Sequence, residues 1–148
     1  FERGVSTLGQ QIGFARELAS ITEMARRNGA ADDRVIADKL TRAGIGLRVM
    51  RAHAMRTLAA VDAGASGGEA SVAKLLWANW HRGLGELAME VSGAEALYAD
   101  GDPADGGLNE QQRMYLFSRA DTIYGGSNEV QRNIIAERVL GLPREARP

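Results

Sequence analysis

The sequence predicts an all-α protein: an antiparallel four-helix bundle formed by residues 1–148 as one domain. Apolar residues recur every three or four positions along three long stretches, which is the spacing of one helical face. Short glycine-rich breaks separate these stretches, and no stretch alternates apolar and polar residues as a strand does. Helices joined by short turns pack antiparallel, and a further helix after Ser127 completes the predicted bundle.

The first helix is predicted from Glu2 to about Arg27, where Asn28-Gly29 provides a left-handed stop. Its apolar face carries Val5, Leu8, Ile12, Ala15 and Leu18. Several glycines within it lower its intrinsic stability and let another backbone or a cofactor approach closely.

The second helix begins after Asp32 and Asp33, whose carboxylates suit the positive end of a helix dipole, and it closes at Ala63-Gly64-Ala65. Its apolar stripe carries Ile36, Leu40, Ala43, Leu47, Met50, Ala54, Leu58 and Val61. The third helix starts near Gly67, because Ser66 and Glu69 have the spacing of a capping box. Its predicted inner face carries Val72, Leu76, Trp80, Leu84, Leu87 and Val91.

The carboxyl-terminal part is turn-rich from 100 to 107 and then predicts a short helix over 109–120. Gly125 and Gly126 break the backbone before Ser127, a suitable N-cap for a last helix that Gly141 ends. A helix start of this kind leaves unpaired N–H groups that can receive a phosphate, a carboxylate or a flavin edge. An ordinary helix start is the simpler alternative.

Composition excludes several classes of function. The net charge of −1 offers no basic excess for nucleic acid, and the absence of cysteine excludes disulfides and thiolate metal sites. No apolar run is long enough to cross a bilayer and no signal peptide is visible, so we expect no membrane partner and a cytoplasmic location. Because the sequence opens on Phe1 rather than Met, we expect a fragment of a larger chain.

The two histidines, His53 and His81, lie on separate helices and are expected in solvated or core-edge positions. A di-iron bundle needs a glutamate three residues before a histidine, but these positions hold Met50 and Ala78. We therefore predict no metal site.

The carboxy-terminal signature of the acyl-CoA dehydrogenase family closely resembles residues Tyr124 to Arg144, which read Tyr-Gly-Gly-Ser-Asn-Glu-Val-Gln-Arg-Asn-Ile-Ile-Ala-Glu-Arg-Val-Leu-Gly-Leu-Pro-Arg. The resemblance implies the four-helix carboxy-terminal domain of these enzymes, without the two domains that precede it. It also implies an FAD cofactor, an acyl-CoA substrate oxidised to the trans-2-enoyl-CoA, and an electron-transfer flavoprotein as electron acceptor. Family members are usually tetramers built through this domain, so we expect a homo- or hetero-tetramer.

The resemblance offers two places for the catalytic base. In many members it is a glutamate in the turn before the last helix, where this chain has Gly125. In the branch that resembles isovaleryl-CoA dehydrogenase, it is a glutamate directly before an arginine in the first helix of the bundle. The resemblance therefore implies Glu2 as the base and Arg3 as a residue that orients it or the substrate. The alternative is that Glu2 is only a carboxylate favoured at a helix start.

Substrate contacts are further implied at Tyr124 and Gly125, and cofactor contacts at Gly126, Ser127 and Glu129. Glu129 stands where the family often has glutamine, and a carboxylate close to a diphosphate is repulsive. The turn therefore matches the family pattern in its glycines and hydroxyl and departs from it in this one charge.

Other implied cofactor contacts lie outside the turn. Glu90 and Gly93 occupy a position where the family has Gln-x-x-Gly-Gly and reaches the flavin of a neighbouring subunit. Arg27 can meet a phosphate, although the aromatic residue that the family places after it is missing. These departures leave open a second reading, a non-catalytic structural acyl-CoA dehydrogenase-like subunit of a hetero-oligomer.

Overall fold

A computed structural model describes residues 6–62, 69–99 and 101–144, and within these residues the only regular secondary structure is helical. The α-helices are α1 (Ser6–Asn28), α2 (Arg34–Asp62), α3 (Glu69–Ser92), α4 (Glu110–Asp121) and α5 (Asn128–Ile134). A π-helical turn over Ile135–Val139 continues α5.

The helices α1 and α3 run parallel. Phe14, in the first half of α1, lies with its ring 6.2 Å from that of Trp77 in the first half of α3. At the other end, Asn28 donates from Nδ2 to the carbonyl of Val91 at 2.7 Å. These two contacts fix the shared direction of the pair.

The helices α2 and α4 run in the opposite direction. Lys39, early in α2, pairs with Glu90 late in α3 at 2.5 Å. Gln112, early in α4, donates from Nε2 to the carbonyl of Ala96 just beyond α3 at 3.0 Å. The alternation of directions is that of an antiparallel four-helix bundle, so the predicted fold class is confirmed.

The fourth position of the bundle belongs to α4, whereas the apolar pattern assigned it to the helix after Ser127. The helix α4 packs along α3 more extensively than α5 does, and α5 is only seven residues long. The apolar pattern missed α4 because the buried face of this helix is polar. It carries Gln112, Ser118 and Asp121. An apolar stripe therefore could not mark it as a bundle helix.

The core lies mainly between α1 and α3, with α2 covering it. Its buried members are Ile21, Ala25, Leu84, Leu87, Ala88 and Val91. Trp80 packs beside this core and donates from its indole N–H to the carbonyl of Ala43 at 2.9 Å. A Cβ at Gly46 would lie 2.5 Å from Cδ1 of Trp80, so the glycine is what lets α2 and α3 approach here.

The buried face of α3 is rotated from the predicted one at its amino-terminal end. Val72, predicted to face inward, is 36% exposed, whereas Ser71 and Lys74 are buried. This face turns towards the end of α4, where Lys74 binds the carbonyl of Asp121. A polar partner in the core, rather than an apolar one, therefore sets the orientation.

The start of α4 is the predicted one. Asn109 and Gln112 form a reciprocal capping box, in which each side chain accepts from the other residue's backbone N–H. The predicted capping box of Ser66 and Glu69 and the predicted start at Glu2 lie outside the described residues and side chains. No helix in the described part of the chain is long and apolar enough to span a bilayer.

Candidate active site

The glycine turn connects α4 to α5 and comprises residues 122–127. Gly125 and Gly126 have φ angles of 65° and 96°, which side chains rarely tolerate. A Cβ at Gly126 would also lie 2.5 Å from Nε2 of Gln131. Gln131 is fully buried and donates from Nε2 to the carbonyl of Gly125 at 2.9 Å, which fixes the turn against α5.

Ser127 caps α5, as the sequence predicts, by accepting from the N–H of Val130 at 3.5 Å. Glu129 is exposed, and hydrogen bonds from its own backbone N–H and from Ser127 hold the pKa of its carboxyl below the ordinary value. The negative charge favoured at this helix start is therefore already supplied by the chain itself. The exposed carboxylate of Glu129 is an unfavourable neighbour for a diphosphate at this helix start.

The hydroxyl and the ring of Tyr124 have different surroundings. Its hydroxyl donates to Oδ1 of Asp121 at 2.6 Å, and burial together with this carboxylate raises the pKa of Tyr124, so the phenol stays protonated. The residue is 45% exposed, and its ring lies 6.2 Å from that of Trp77 and 6.4 Å from that of Phe117. The hydroxyl is thus committed to Asp121 while the residue as a whole stays partly exposed.

Asp121 is almost fully buried and also binds His81. Nδ1 of His81 lies 2.5 Å from Oδ2 of Asp121, and Nε2 lies 3.1 Å from Oε2 of Glu17 on α1. Burial of the imidazole favours its neutral form, but the hydrogen bonds to the two carboxylates outweigh burial and raise the pKa of His81 to about 9. The imidazole is therefore a buried cation at neutral pH.

Lys74 completes this network. Its ammonium donates to the carbonyl of Asp121 at the end of α4, and it lies 4.2 and 4.7 Å from the ring centroids of Trp77 and Tyr124. We call Glu17, Lys74, His81, Asp121 and Tyr124 the anchor cluster. It joins α1, α3, α4 and the glycine turn.

Sequence reasoning singled out only Tyr124 and His81 of the anchor cluster, and it expected His81 in a solvated or core-edge position rather than buried. The missed signals are spacings within helices. Lys74 and His81 are seven residues apart on one face of α3, and Asp121 precedes Tyr124 by three. Their pairing across helices is not readable from one sequence.

The implied cofactor contacts outside the turn lie at the other end of the bundle. Gly93 ends α3 with a φ of 58°, and the exposed Arg27 lies in the last turn of α1. Glu90 pairs with Lys39. Sixteen residues separate Trp77 from Gly93, which is about 24 Å along a helix, so one chain does not bring these residues and the turn together. Glu2 and Arg3 lie outside the described residues.

A sequence profile of the acyl-CoA dehydrogenase C-terminal domain matches residues 1–140. The chain belongs to the acyl-CoA dehydrogenase family. It is 62% identical to acyl-CoA dehydrogenase IpdE1 of Mycobacterium tuberculosis over 147 residues. The aligned region covers 99% of this chain and 37% of that protein. The chain thus spans little more than a third of the length of this relative.

Two solved structures share the fold. The Tcur3481-Tcur3483 steroid ACAD matches with a TM-score of 0.71 and 25% identity, over 89% of this chain and 35% of that chain. The ChsE4-ChsE5 complex from Mycobacterium tuberculosis matches with a TM-score of 0.71 and 28% identity, over 90% of this chain and 36% of that chain. In both cases the match covers little more than a third of the solved chain.

Proposed function

We propose that this chain is the carboxy-terminal domain of an FAD-dependent acyl-CoA dehydrogenase. The full enzyme would oxidise the Cα–Cβ bond of an acyl-CoA to the trans-2-enoyl-CoA and pass the electrons to an electron-transfer flavoprotein. The observation that carries the proposal is the glycine turn, in which two positive-φ glycines directly follow the partly exposed Tyr124. Membership of the family supplies the reaction class.

The residues of the turn fit the ring part of a flavin. Gly125 has no side chain, so a flat ring could approach the backbone there, whereas the Cβ space of Gly126 is taken by Gln131. The Ser127 hydroxyl lies next to this turn, where it also caps α5. The exposed charge of Glu129 directs the diphosphate elsewhere. When bound, FAD supplies the hydride acceptor, and this chain orients it.

The described carboxylates next to the turn are poorly suited to removing the α-proton. Asp121 already accepts from Tyr124 and His81, and Glu129 is exposed with a lowered pKa. A general base needs a pKa near the working pH, which burial in a dry pocket provides. Gly125 has no side chain, so we infer that Glu2 takes the proton and that Arg3 orients it.

The side of the bundle that bears the turn supports this choice. The first half of α1 packs beside the turn, because Phe14 contacts Trp77 and Trp77 contacts Tyr124. Glu2 precedes that half of α1 in the sequence by only a few residues. We infer that the α-carbon of the acyl thioester lies near both the glycine turn and Glu2.

A second candidate is a structural subunit that needs a different catalytic chain. Two observations favour it: Glu129 stands at the start of α5, and Glu90, at an implied flavin contact, is engaged by Lys39. The two solved relatives are assemblies of two differently named chains. In either case we propose a homo- or hetero-tetramer formed through the bundle.

The proposed function is tested with Glu2→Gln in the full-length protein, with Glu23→Gln as a matched control because Glu23 is an exposed glutamate of α1. Turnover is measured with linear and steroid-derived acyl-CoA thioesters, and flavin content by absorbance. Loss of turnover in Glu2→Gln alone, with flavin retained, supports the assignment. Equal turnover in both variants removes Glu2 as the base, and a colourless, inactive wild-type homomer supports the structural subunit.

A further inference from the structure

We propose that Asp121 is a positioning residue: it fixes the glycine turn in its ligand-receiving orientation by holding the hydroxyl of Tyr124. The inference rests on the proposed function, in which this turn receives the flavin and the acyl thioester. It assigns a role to a carboxylate that is buried beneath the turn and does not itself lie at the surface.

Neighbouring residues bind both carboxylate oxygens and the backbone carbonyl of Asp121. It is 1% exposed, Oδ1 accepts from Tyr124, Oδ2 binds His81, and its carbonyl accepts from Lys74. Asp121 is also the last residue of α4, and the turn begins at the next residue. The point where the turn leaves the bundle is therefore held from three helices, since Glu17 of α1 supports His81.

The anchor cluster is a network of charged side chains. The anchor cluster holds two cations, Lys74 and protonated His81, and two carboxylates, Asp121 and Glu17. Buried ion pairs add little net stability over a well-packed apolar core, whereas removal of one partner leaves a costly uncompensated charge. The anchor cluster therefore holds its side chains in one arrangement. The hydrogen bond from Tyr124 to Asp121 links the surface turn to that arrangement.

The hydrogen bond to Asp121 fixes the orientation of the Tyr124 side chain. Its hydroxyl is committed to Asp121, so a tether runs from the core to the residue that directly precedes Gly125. Loss of the hydroxyl leaves the ring contacts with Trp77 and Phe117 in place but releases the tether. A hydrogen bond to a charged group contributes enough to shift a local equilibrium by about tenfold.

The test compares Tyr124→Phe, Asp121→Asn and the double variant in the full-length protein. The control is Tyr98→Phe, which removes the hydroxyl of an exposed tyrosine beyond the end of α3. Two readouts are used: the FAD dissociation constant of the apoprotein, and amide hydrogen exchange over residues 122–127. The second readout needs no ligand.

We expect Tyr124→Phe to speed exchange in the turn and to weaken FAD binding, each by about tenfold, while α2 exchanges as in the wild type. The double variant should be no worse than the worse single variant, because both remove one tether. Unchanged exchange in the turn, or equal changes in Tyr98→Phe, would overturn the inference. If the wild type binds no FAD, the proposed function fails, while the exchange data still decide whether Asp121 positions the turn.

Discussion

The hydroxyl of Tyr124 donates a 2.6 Å hydrogen bond to the carboxylate of Asp121, which is 1% exposed. This single bond connects a surface turn that carries the family signature to a charged network inside the bundle. Conditions that alter the network should therefore alter both the stability of the bundle and the order of the turn.

Stability should depend on pH through His81. Its pKa is raised to about 9 by hydrogen bonds to Asp121 and Glu17. The Tyr124 hydroxyl also binds the Asp121 carboxylate, and Lys74 binds the Asp121 backbone carbonyl. A raised pKa in the folded state contributes stability that is complete below the unfolded value and is lost as pH rises through the folded value. The free energy of unfolding should fall by about 3 kcal/mol as the pH rises from about 6.5 to above 9.

Urea unfolding of the full-length protein at several pH values measures this slope. A His81→Gln variant should be less stable at pH 6 and should lose most of the pH dependence between 6.5 and 9. A wild-type protein whose stability is constant over that range would show that His81 is not a buried cation.

The glycine turn should tolerate no side chain at Gly126. Its φ of 96° and the predicted contact of 2.5 Å with Nε2 of Gln131 both oppose a Cβ. Gly126→Ala should therefore cost about 2–4 kcal/mol in stability. Gly141→Ala is the matched control, because Gly141 has a φ of 65° but a Cβ there meets no atom within 4 Å. It should cost only about 1 kcal/mol, and equal losses in urea unfolding would refute the steric argument.

The contact between α2 and α3 gives a second pair of glycine substitutions. A Cβ at Gly46 would lie 2.5 Å from Trp80, so Gly46→Ala should displace the indole and cost about 1–3 kcal/mol. Gly44→Ala, in the same helix, meets no atom within 4 Å and should gain about 0.5–1 kcal/mol from helix propensity. Tryptophan fluorescence during urea unfolding distinguishes them. A stabilised Gly46→Ala variant would contradict this packing.

The segment between α3 and α4 should depend on Gln112. This buried side chain caps α4 and donates to the carbonyls of Ala96 and Tyr98 at 3.0 and 2.7 Å. Gln112→Ala should cost about 1–3 kcal/mol, since two partly buried carbonyls lose their donor and the backbone N–H of Asn109 loses its acceptor in the capping box. Gln111→Ala removes only a 3.5 Å bond to Ser20 and is the control. Similar melting temperatures for the two variants would mean that this segment is held by other contacts.

The sequence was sufficient to predict the three long helices. It was wrong about the buried face of α1, because Ile12 and Ala15 are exposed and Phe14, Ile21 and Ala25 are buried instead. It was insufficient for the position of α4, whose buried Gln112, Ser118 and Asp121 resemble a solvated face when read without their partners. Leu116 and Phe117 on the same helix are apolar but exposed, so the apolar periodicity predicts the wrong buried face for α4.

The glycine turn was predicted because its chemistry is local: positive-φ glycines and an N-cap serine are contiguous. The anchor cluster was not, because His81 and Asp121 are 40 residues apart and His81 and Glu17 are 64 apart. Their pairing depends on helix packing. The role of Glu2 as the base remains a prediction.

The proposed reaction is the dehydrogenation of an acyl thioester by the full-length protein, with a flavin held at the glycine turn. Anaerobic addition of an acyl-CoA to the purified full-length protein tests it most directly, with the visible absorbance of the bound flavin as the readout. We predict that the flavin is reduced and the absorbance bleaches with a suitable thioester, and that Glu2→Gln binds flavin but does not bleach. Bound flavin that no acyl-CoA bleaches, whether linear or steroid-derived, would contradict the claim.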